Sequence, residues 1–79
     1  MKTETLIQMI VASMVDTPEE VSVNRIKGAN GLSIFEVKVA KTDTGKVIGK
    51  QGRNAAAIRA LIDAASKKNK ERAIIEILE

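Results

Sequence analysis

Two glycines three positions apart constrain this chain more than any other feature of its sequence. They lie in the run Val47-Ile48-Gly49-Lys50-Gln51-Gly52-Arg53, between an apolar pair and an amphipathic stretch over residues 54–66. Glycine allows the backbone to approach a ligand closely and to take a positive φ angle. The first N–H groups of the following helix are unpaired and lie at the positive end of its dipole. The pattern therefore predicts an anion site, to which Lys50 and Arg53 add positive charge for a phosphate-bearing polymer.

The composition favours a binding protein over an enzyme. The 79 residues are enough for one small domain, and the hydrophobic content of 44% is enough for a packed core. Cysteine and histidine are absent, which removes disulfides, thiolate metal sites and the commonest catalytic base. We therefore expect no catalytic residues, no metal site and no cofactor.

The apolar stretch over residues 6–15 is too short to span a bilayer and is followed by no cleavage site, so we expect a cytoplasmic protein without a membrane partner.

The positive charge of the sequence is concentrated around the two glycines. The net charge is +3, and residues 41–59 contain five basic residues against the single acidic residue Asp43. These basic residues are Lys41, Lys46, Lys50, Arg53 and Arg59. The rest of the chain has eight basic and nine acidic residues. A merely solvated surface would mix both signs, so we expect the basic segment to contact a polyanion.

Hydrophobic periodicity predicts the element order helix, strand, strand, helix, helix, strand. Helices are expected over residues 3–15, 45–48 and 54–66, and strands over residues 20–27, 32–40 and 73–78. Side chains of residues 42–44 are expected to cap the short second helix. The buried stripe predicted for the last helix consists of Ala55, Ile58, Leu61, Ile62 and Ala65. Lysines at 67, 68 and 70 are expected to complement the helix dipole in solvent.

The first two strands are predicted to form a hairpin. The expected partners are Val21 with Val39, Val23 with Val37, and Ile26 with Ile34. This register leaves residues 29–31 as a three-residue loop with Gly31 in the left-handed conformation. Phe35, the only aromatic residue, is expected in the core. Ile26, Leu32 and Ile34 then lie on the opposite face, either as core or as an exposed patch that contacts a partner.

Three phosphate-binding motifs contain closely spaced glycines, and only one of them fits. A Walker A loop requires four residues between its first glycine and Gly-Lys-Ser/Thr, whereas residues 45–51 contain three and end in Gln51. A dinucleotide fingerprint requires a doubly wound sheet, for which the chain is too short. The third motif is a G-x-x-G loop between two helices, which clamps the backbone of four nucleotides. The structural alternative is a helix–turn–helix junction whose glycines only permit a sharp turn.

The G-x-x-G loop at residues 49–52, with its preceding apolar pair, basic variable residues and downstream Ile58, resembles the signature of KH domains. The element order resembles the type II KH arrangement, and the opening helix, the turn at residues 16–20 and the length are similar to the KhpA group of bacterial single-KH proteins. The resemblance implies one KH domain over residues 1–79, with an α+β fold (α-β-β-α-α-β) and a three-stranded sheet with helices packed on one face. Ala55 departs from many KH domains, which have a large aliphatic residue at that position, and Asn54 is polar where an aliphatic residue is also plausible. Both departures imply either a shallower groove or an altered helix packing.

The resemblance also implies a function, namely sequence-tolerant binding of single-stranded RNA without catalysis. The glycines admit the RNA backbone, the cations neutralise its charge, and aliphatic residues form a floor under the bases. The candidate RNA-binding residues are Val39, Lys46, Val47, Ile48, Gly49, Lys50, Gln51, Gly52, Arg53 and Arg59. The sequence has no aromatic platform on which bases stack, so weak and unspecific binding is expected. Single-stranded DNA stays open as a ligand, because no residue visibly reads a 2′-hydroxyl.

Protein partners follow from the same resemblance. It implies a homodimer, a complex with the larger KH-containing protein KhpB, and an RNA-chaperone or post-transcriptional role in cell elongation and envelope synthesis. The alternative is a protein-interaction domain in which the dimer surface matters and RNA is incidental. Two surfaces are candidates for the dimer: the hairpin patch, and the last helix. On that helix, small side chains permit close approach. These are Ala55, Ala56, Ala57 and Ala60.

Overall fold

The computed structural model describes residues 1–79 as a three-stranded sheet with helices packed on one face. The helices are α1 (Thr3–Ala12), α2 (Thr44–Ile48) and α3 (Arg53–Lys68), and the strands are β1 (Ser22–Lys27), β2 (Leu32–Lys38) and β3 (Arg72–Ile77). Single 3-10 turns lie at Pro18–Glu20, Lys41–Asp43 and Lys50–Gly52. This order confirms the predicted α+β fold of a KH domain. Helix α1 ends three residues before the expected end, where the Ser13 hydroxyl donates to the carbonyl of Ile10 at 2.6 Å.

The sheet has the order β1-β2-β3, with β1 antiparallel and β3 parallel to the central strand β2. The hairpin register is the predicted one, since Val23 pairs with Val37 and Ile26 with Ile34. The N–H of Gly28 donates to the carbonyl of Leu32 at 2.8 Å and closes the three-residue loop, in which Gly31 has φ +74°. A parallel pair needs a long crossover connection, and the segment containing α2 and α3 provides it.

The core lies between the sheet and the two long helices. Side chains of β2 alternate, so Phe35 and Val37 are fully buried against the helices. Residues spaced by three or four positions supply the helical side of the core: Ile7 and Val11 from α1, and Ala55, Ile58 and Ile62 from α3.

Of the five residues predicted to form the buried stripe of α3, Ala55, Ile58 and Ile62 are buried, and Leu61 and Ala65 are not. Leu61 is 58% exposed, because it lies about 100° around the helix from its buried neighbour Ile62. Ala65 is only half-buried, and Ser66 is the residue that closes the stripe.

The opposite face of the sheet carries no helix and exposes a row of isoleucines. Ile26, Ile34 and Ile74 are direct neighbours across the three strands. Ile26 is 41% and Ile74 is 45% exposed, while Ile34 and Leu32 are half-buried. Of the two alternatives for this apolar patch, the structure therefore favours an exposed surface.

A buried polar cluster joins α1, the sheet and the start of β3. The Glu71 carboxylate accepts hydrogen bonds from the Thr3 hydroxyl at 3.0 Å and the Ser33 hydroxyl at 2.7 Å, and it pairs with the Arg25 guanidinium. Burial alone would raise the pKa of Glu71, but the two hydroxyl donors and the charge of Arg25 together hold the pKa below its ordinary value. Arg25 also pairs with Glu4, so these groups fix α1 to the sheet.

Candidate nucleic-acid interface

The G-x-x-G loop joins α2 to α3 and contains two positions whose positive φ angles favour glycine. Gly49 has φ +78° and ψ 170°, and Gly52 has φ +72°. A Cβ atom on Gly49 would lie 2.6 Å from the side chain of Asn54 and 2.8 Å from its backbone nitrogen. A Cβ on Gly52 would meet open space, so at this position the requirement comes from the positive φ alone. Gln51 between them is also left-handed, with φ 58°.

Asn54 braces the loop from below. Its side-chain amide donates to the carbonyl of Lys46 at 2.8 Å and so connects the last turn of α2 to the first turn of α3. The N–H of Gly49 donates to the carbonyl of Gly45 at 2.8 Å, and that of Gly52 to Gly49 at 3.1 Å. The polar residue that departs from the KH pattern at position 54 therefore has a structural task. The sequence analysis did not identify this role of Asn54, because the role depends on a contact between two helices across a turn.

The loop presents unpaired donors and cations to solvent. The backbone N–H groups of Lys50 and Gln51 have no acceptor within the chain, and both side chains are exposed. Neither Lys50 nor Arg53 takes part in an ion pair, and the Arg53 guanidinium donates its one side-chain hydrogen bond to the amide oxygen of Gln51, at 3.5 Å. Gly52 offers no side-chain cap to the sixteen-residue helix α3, so the positive end of its dipole faces the same surface. Such an arrangement binds phosphate oxygens.

Lys46, a predicted site residue, belongs to a different network. Its ammonium lies 3.1 Å from the Asp16 carboxylate and 3.7 Å from that of Asp43. The hydrogen bond to Asp16 and the charges of both carboxylates raise the pKa of Lys46. Its charge is therefore already compensated. Asp43 is buried and accepts the N–H groups of Asp16 and Thr17, and its side chain does not cap α2 as expected.

The other predicted residues lie at different depths. Ile48 is half-buried beside the loop, while Val39 and Val47 are 7% and 0% exposed within the core. Of these three side chains, only that of Ile48 is partly exposed to solvent. Arg59 lies about 9 Å along α3 from Arg53 and donates to the carbonyl of Ile75 at 3.4 Å, toward β3.

No group of three or more Asp or Glu side chains is close enough together to hold a metal ion. None of the helices combines the length and the apolar character that a membrane crossing requires.

Comparison with known proteins places this geometry in a family. The profile of the family described as "KhpA/KhpB, KH domain" matches residues 4–77. The RNA-binding protein KhpA of Caldanaerobacter subterraneus is 52% identical over 73 residues, which cover 92% of this chain and 96% of that protein. The proteins of the same name from Clostridium acetobutylicum and Borreliella burgdorferi are 49% and 45% identical, covering 92% and 94% of this chain and 96% and 89% of those proteins. No solved structure matches the chain. The chain therefore belongs to the KhpA/KhpB family of KH domains, whose relatives are named for RNA binding and not for catalysis.

Proposed function

We propose that this protein binds single-stranded RNA at the loop formed by residues 49–52, with little preference for sequence. The observation that carries the proposal is the exposed pair of unpaired N–H groups at Lys50 and Gln51, next to two cations and the start of α3. The family and the names of the relatives support RNA as the polymer.

In the proposed complex the RNA backbone lies against the loop and the bases extend over Ile48. Phosphate oxygens accept hydrogen bonds from the loop N–H groups, while Lys50 and Arg53 neutralise charge. Bases find no aromatic side chain on which to stack, because Phe35 is fully buried. The affinity of one domain is therefore low, and discrimination between bases is weak.

The test is the double variant Lys50→Asp with Gln51→Asp. Two carboxylates would repel phosphates where the loop now attracts them, and aspartate tolerates the left-handed backbone at position 51. A matched control is Lys38→Asp with Asn24→Asp, which changes the net charge equally at exposed positions on the open face of the sheet. Fluorescence anisotropy with four-nucleotide RNA and DNA oligomers gives the affinity, and circular dichroism verifies the fold.

We expect the loop variant to lose binding and the control to keep most of it. A folded loop variant that binds RNA as tightly as the control would contradict the assignment of the site. Equal affinity for RNA and DNA would show that the 2′-hydroxyl is not read.

The proposal also covers the assembly of this protein and its role in the cell. A single KH domain reads few bases, so useful affinity requires more than one module. A complex with a KhpB-like protein would supply a second module, and the shared family of KhpA and KhpB supports this complex. A homodimer is the other proposed assembly. The proposed place of action is the cytoplasm, as an RNA chaperone or post-transcriptional regulator linked to cell elongation and envelope synthesis.

A protein-interaction domain is the second candidate function, and two exposed surfaces favour it. One is the isoleucine row on the open face of the sheet. The other is a stripe on α3 with helical spacing, composed of Ala57, Ala60, Leu61 and Ala64, all of which are exposed. If protein interaction is the main function, the variant Lys50→Asp with Gln51→Asp will lose only its RNA binding. It will keep every protein contact of the native chain.

A further inference from the structure

A second cluster of positive charge lies at the opposite end of α3 from the G-x-x-G loop. An open polar cleft of about 770 Å³ lies between the β1–β2 loop, the start of α1 and the turn between α3 and β3. Lys2, Lys27 and Lys70 line this cleft, together with Arg25 and Glu71. The three lysines come from distant parts of the chain, so a count of charge by segment assigns the basicity to residues 41–59 alone.

The three cleft lysines are free to bind an anion. All are exposed, and none takes part in the five ion pairs of the chain. The nearby carboxylate of Glu71 is mostly buried and already accepts hydrogen bonds from Thr3, Ser33 and Arg25. Glu71 therefore forms part of the floor of the cleft and makes no ion pair with any of the three lysines.

The dipole of α3 does not account for this convergence. Cations near the C-terminus of a helix are favourable, and that explains Lys67 and Lys68 in the last turn. Lys2 and Lys27, however, come from the start of α1 and the end of β1. Like charges that surround one cleft repel each other, and a bound phosphate relieves the repulsion.

We propose that this cleft is a second site for the phosphate backbone of RNA, an inference that rests on the proposed function. Helix α3 has sixteen residues, so about 24 Å separates the cleft from the G-x-x-G loop. A long strand then contacts one domain at two points, and the second contact forms at high effective concentration. Two separate strands can also be held at once, which is the arrangement that strand annealing by a chaperone requires.

The test compares short and long RNA on the cleft variant Lys27→Glu with Lys70→Glu. A four-nucleotide oligomer is long enough for the G-x-x-G loop but too short to reach the cleft. The matched control is Lys38→Glu with Lys68→Glu, which changes the net charge equally at exposed, unpaired residues that do not line the cleft. The milder variant Lys27→Gln with Lys70→Gln serves if the charge reversal disturbs folding.

We expect the cleft variant to bind the four-nucleotide RNA as the control does. For a twenty-nucleotide RNA we expect an affinity about tenfold lower than that of the control. The slope of log affinity against log salt should be shallower by about 1.4, because two phosphate contacts are lost. Identical affinities and slopes of variant and control on the long RNA would overturn the second site and leave the loop assignment intact. Undiminished binding of the long RNA by both the loop variant and the cleft variant would instead overturn the proposed function.

A mononucleotide distinguishes the polymer from a free phosphate ligand. Amide chemical shifts of Gly28 and Gly31, which line the cleft, report its occupancy in labelled protein. We expect adenosine monophosphate at 0.15 M salt to leave these shifts unchanged, and the twenty-nucleotide RNA to move them. Saturable shifts with the mononucleotide alone would assign the cleft to a small phosphate ligand and contradict the proposal.

Discussion

At the scale of single residues, the two loop glycines have different tasks. Gly49 combines a backbone conformation that is nearly restricted to glycine with a neighbour, Asn54, at clashing distance. Gly52 has the positive φ but free space around it. The two positions are therefore equivalent in the motif but not in the physics that selects glycine.

We predict that Gly49→Ala is more damaging than Gly52→Ala. The first substitution forces Asn54 and the loop to shift and should lower the free energy of unfolding by about 2 kcal/mol or more. The second substitution introduces only the cost of a left-handed backbone at a residue other than glycine, about 1 kcal/mol. Urea denaturation of the two variants measures both values. Equal losses would mean that the contact with Asn54 does not constrain the loop.

Asn54 itself leads to a second prediction. Asn54→Leu removes the hydrogen bond to the Lys46 carbonyl and places an aliphatic side chain at this position. Because the brace positions the loop, we expect RNA affinity to fall severalfold while the protein stays folded. Asn54→Ala, which removes the amide without adding a charge beside the phosphates, is the second variant and should show the same defect. Undiminished RNA affinity in both variants would assign the brace to folding alone.

Residue-level reasoning succeeded where a property is local. The left-handed Gly31, the buried Phe35 and the exposed Lys50 all follow from residue type and immediate neighbours. It failed for residues whose surroundings come from distant segments. The sequence predicts Asp43 as a helix cap. Its carboxylate instead accepts the backbone N–H groups of residues 16 and 17, which lie 27 and 26 positions away.

At the scale of elements, the start of β3 depends on one carboxylate. Glu71, directly before this strand, links it to α1, β2 and β1 through Thr3, Ser33 and Arg25, respectively. Because the pKa of Glu71 is lowered in the folded state, the folded protein holds this proton less tightly than the unfolded chain. The resulting stability is present above the unfolded pKa of 4.5 and is lost as the pH falls through the folded value.

We therefore predict that Glu71→Gln lowers the free energy of unfolding by about 1–3 kcal/mol at pH 7 and flattens its dependence on pH below 4.5. Urea denaturation at pH 7 and pH 3.5 tests both parts. Glu19→Gln, at an exposed position outside all ion pairs, is the control and should change neither. A pH dependence like that of the native protein would contradict the role of Glu71.

Element types and the hairpin register were predictable because one face of each element is buried, which gives periods of two and 3.6 residues. The edge of the buried stripe on α3 was not predictable in this way. Leu61 and Ile62 are both apolar, and their sequence alone does not say which of the two faces the sheet. Packing in the hydrophobic core selects Ile62 and leaves Leu61 in solvent.

At the scale of the whole molecule, apolar side chains remain uncovered on both α3 and the sheet. We predict self-association at micromolar concentration through the α3 stripe, since its alanines allow close helix approach. Leu61→Glu should give a monomer in sedimentation velocity, whereas Ile26→Glu on the sheet should not. Because the stripe follows the loop along α3, RNA and dimerisation should compete, and an RNA oligomer should dissociate the dimer. A monomeric Ile26→Glu protein would transfer the interface to the sheet.

Charge placement gives a prediction at the same scale. For a four-nucleotide RNA that meets two to four phosphate contacts at the loop, log affinity should fall with log salt at a slope of roughly −1.5 to −3. Lys50→Ala should make this slope shallower by up to about 0.7, and Lys46→Ala should change it less, because Asp16 and Asp43 already compensate Lys46. A slope near zero would show that the loop does not contact the RNA backbone.

The parallel pairing of β2 with β3 also determines when the fold can form during translation. Until residues 72–77 emerge, β2 has β1 on one side and an open edge on the other. A ribosome needs about 2–7 s to proceed from residue 38 to residue 72, and a two-stranded hairpin is marginal in water for that interval. The nascent chain therefore gains most of its stability in one late step. A chain that stops short of Arg72 would present the edge of β2 to other unfinished chains, which makes it prone to aggregate.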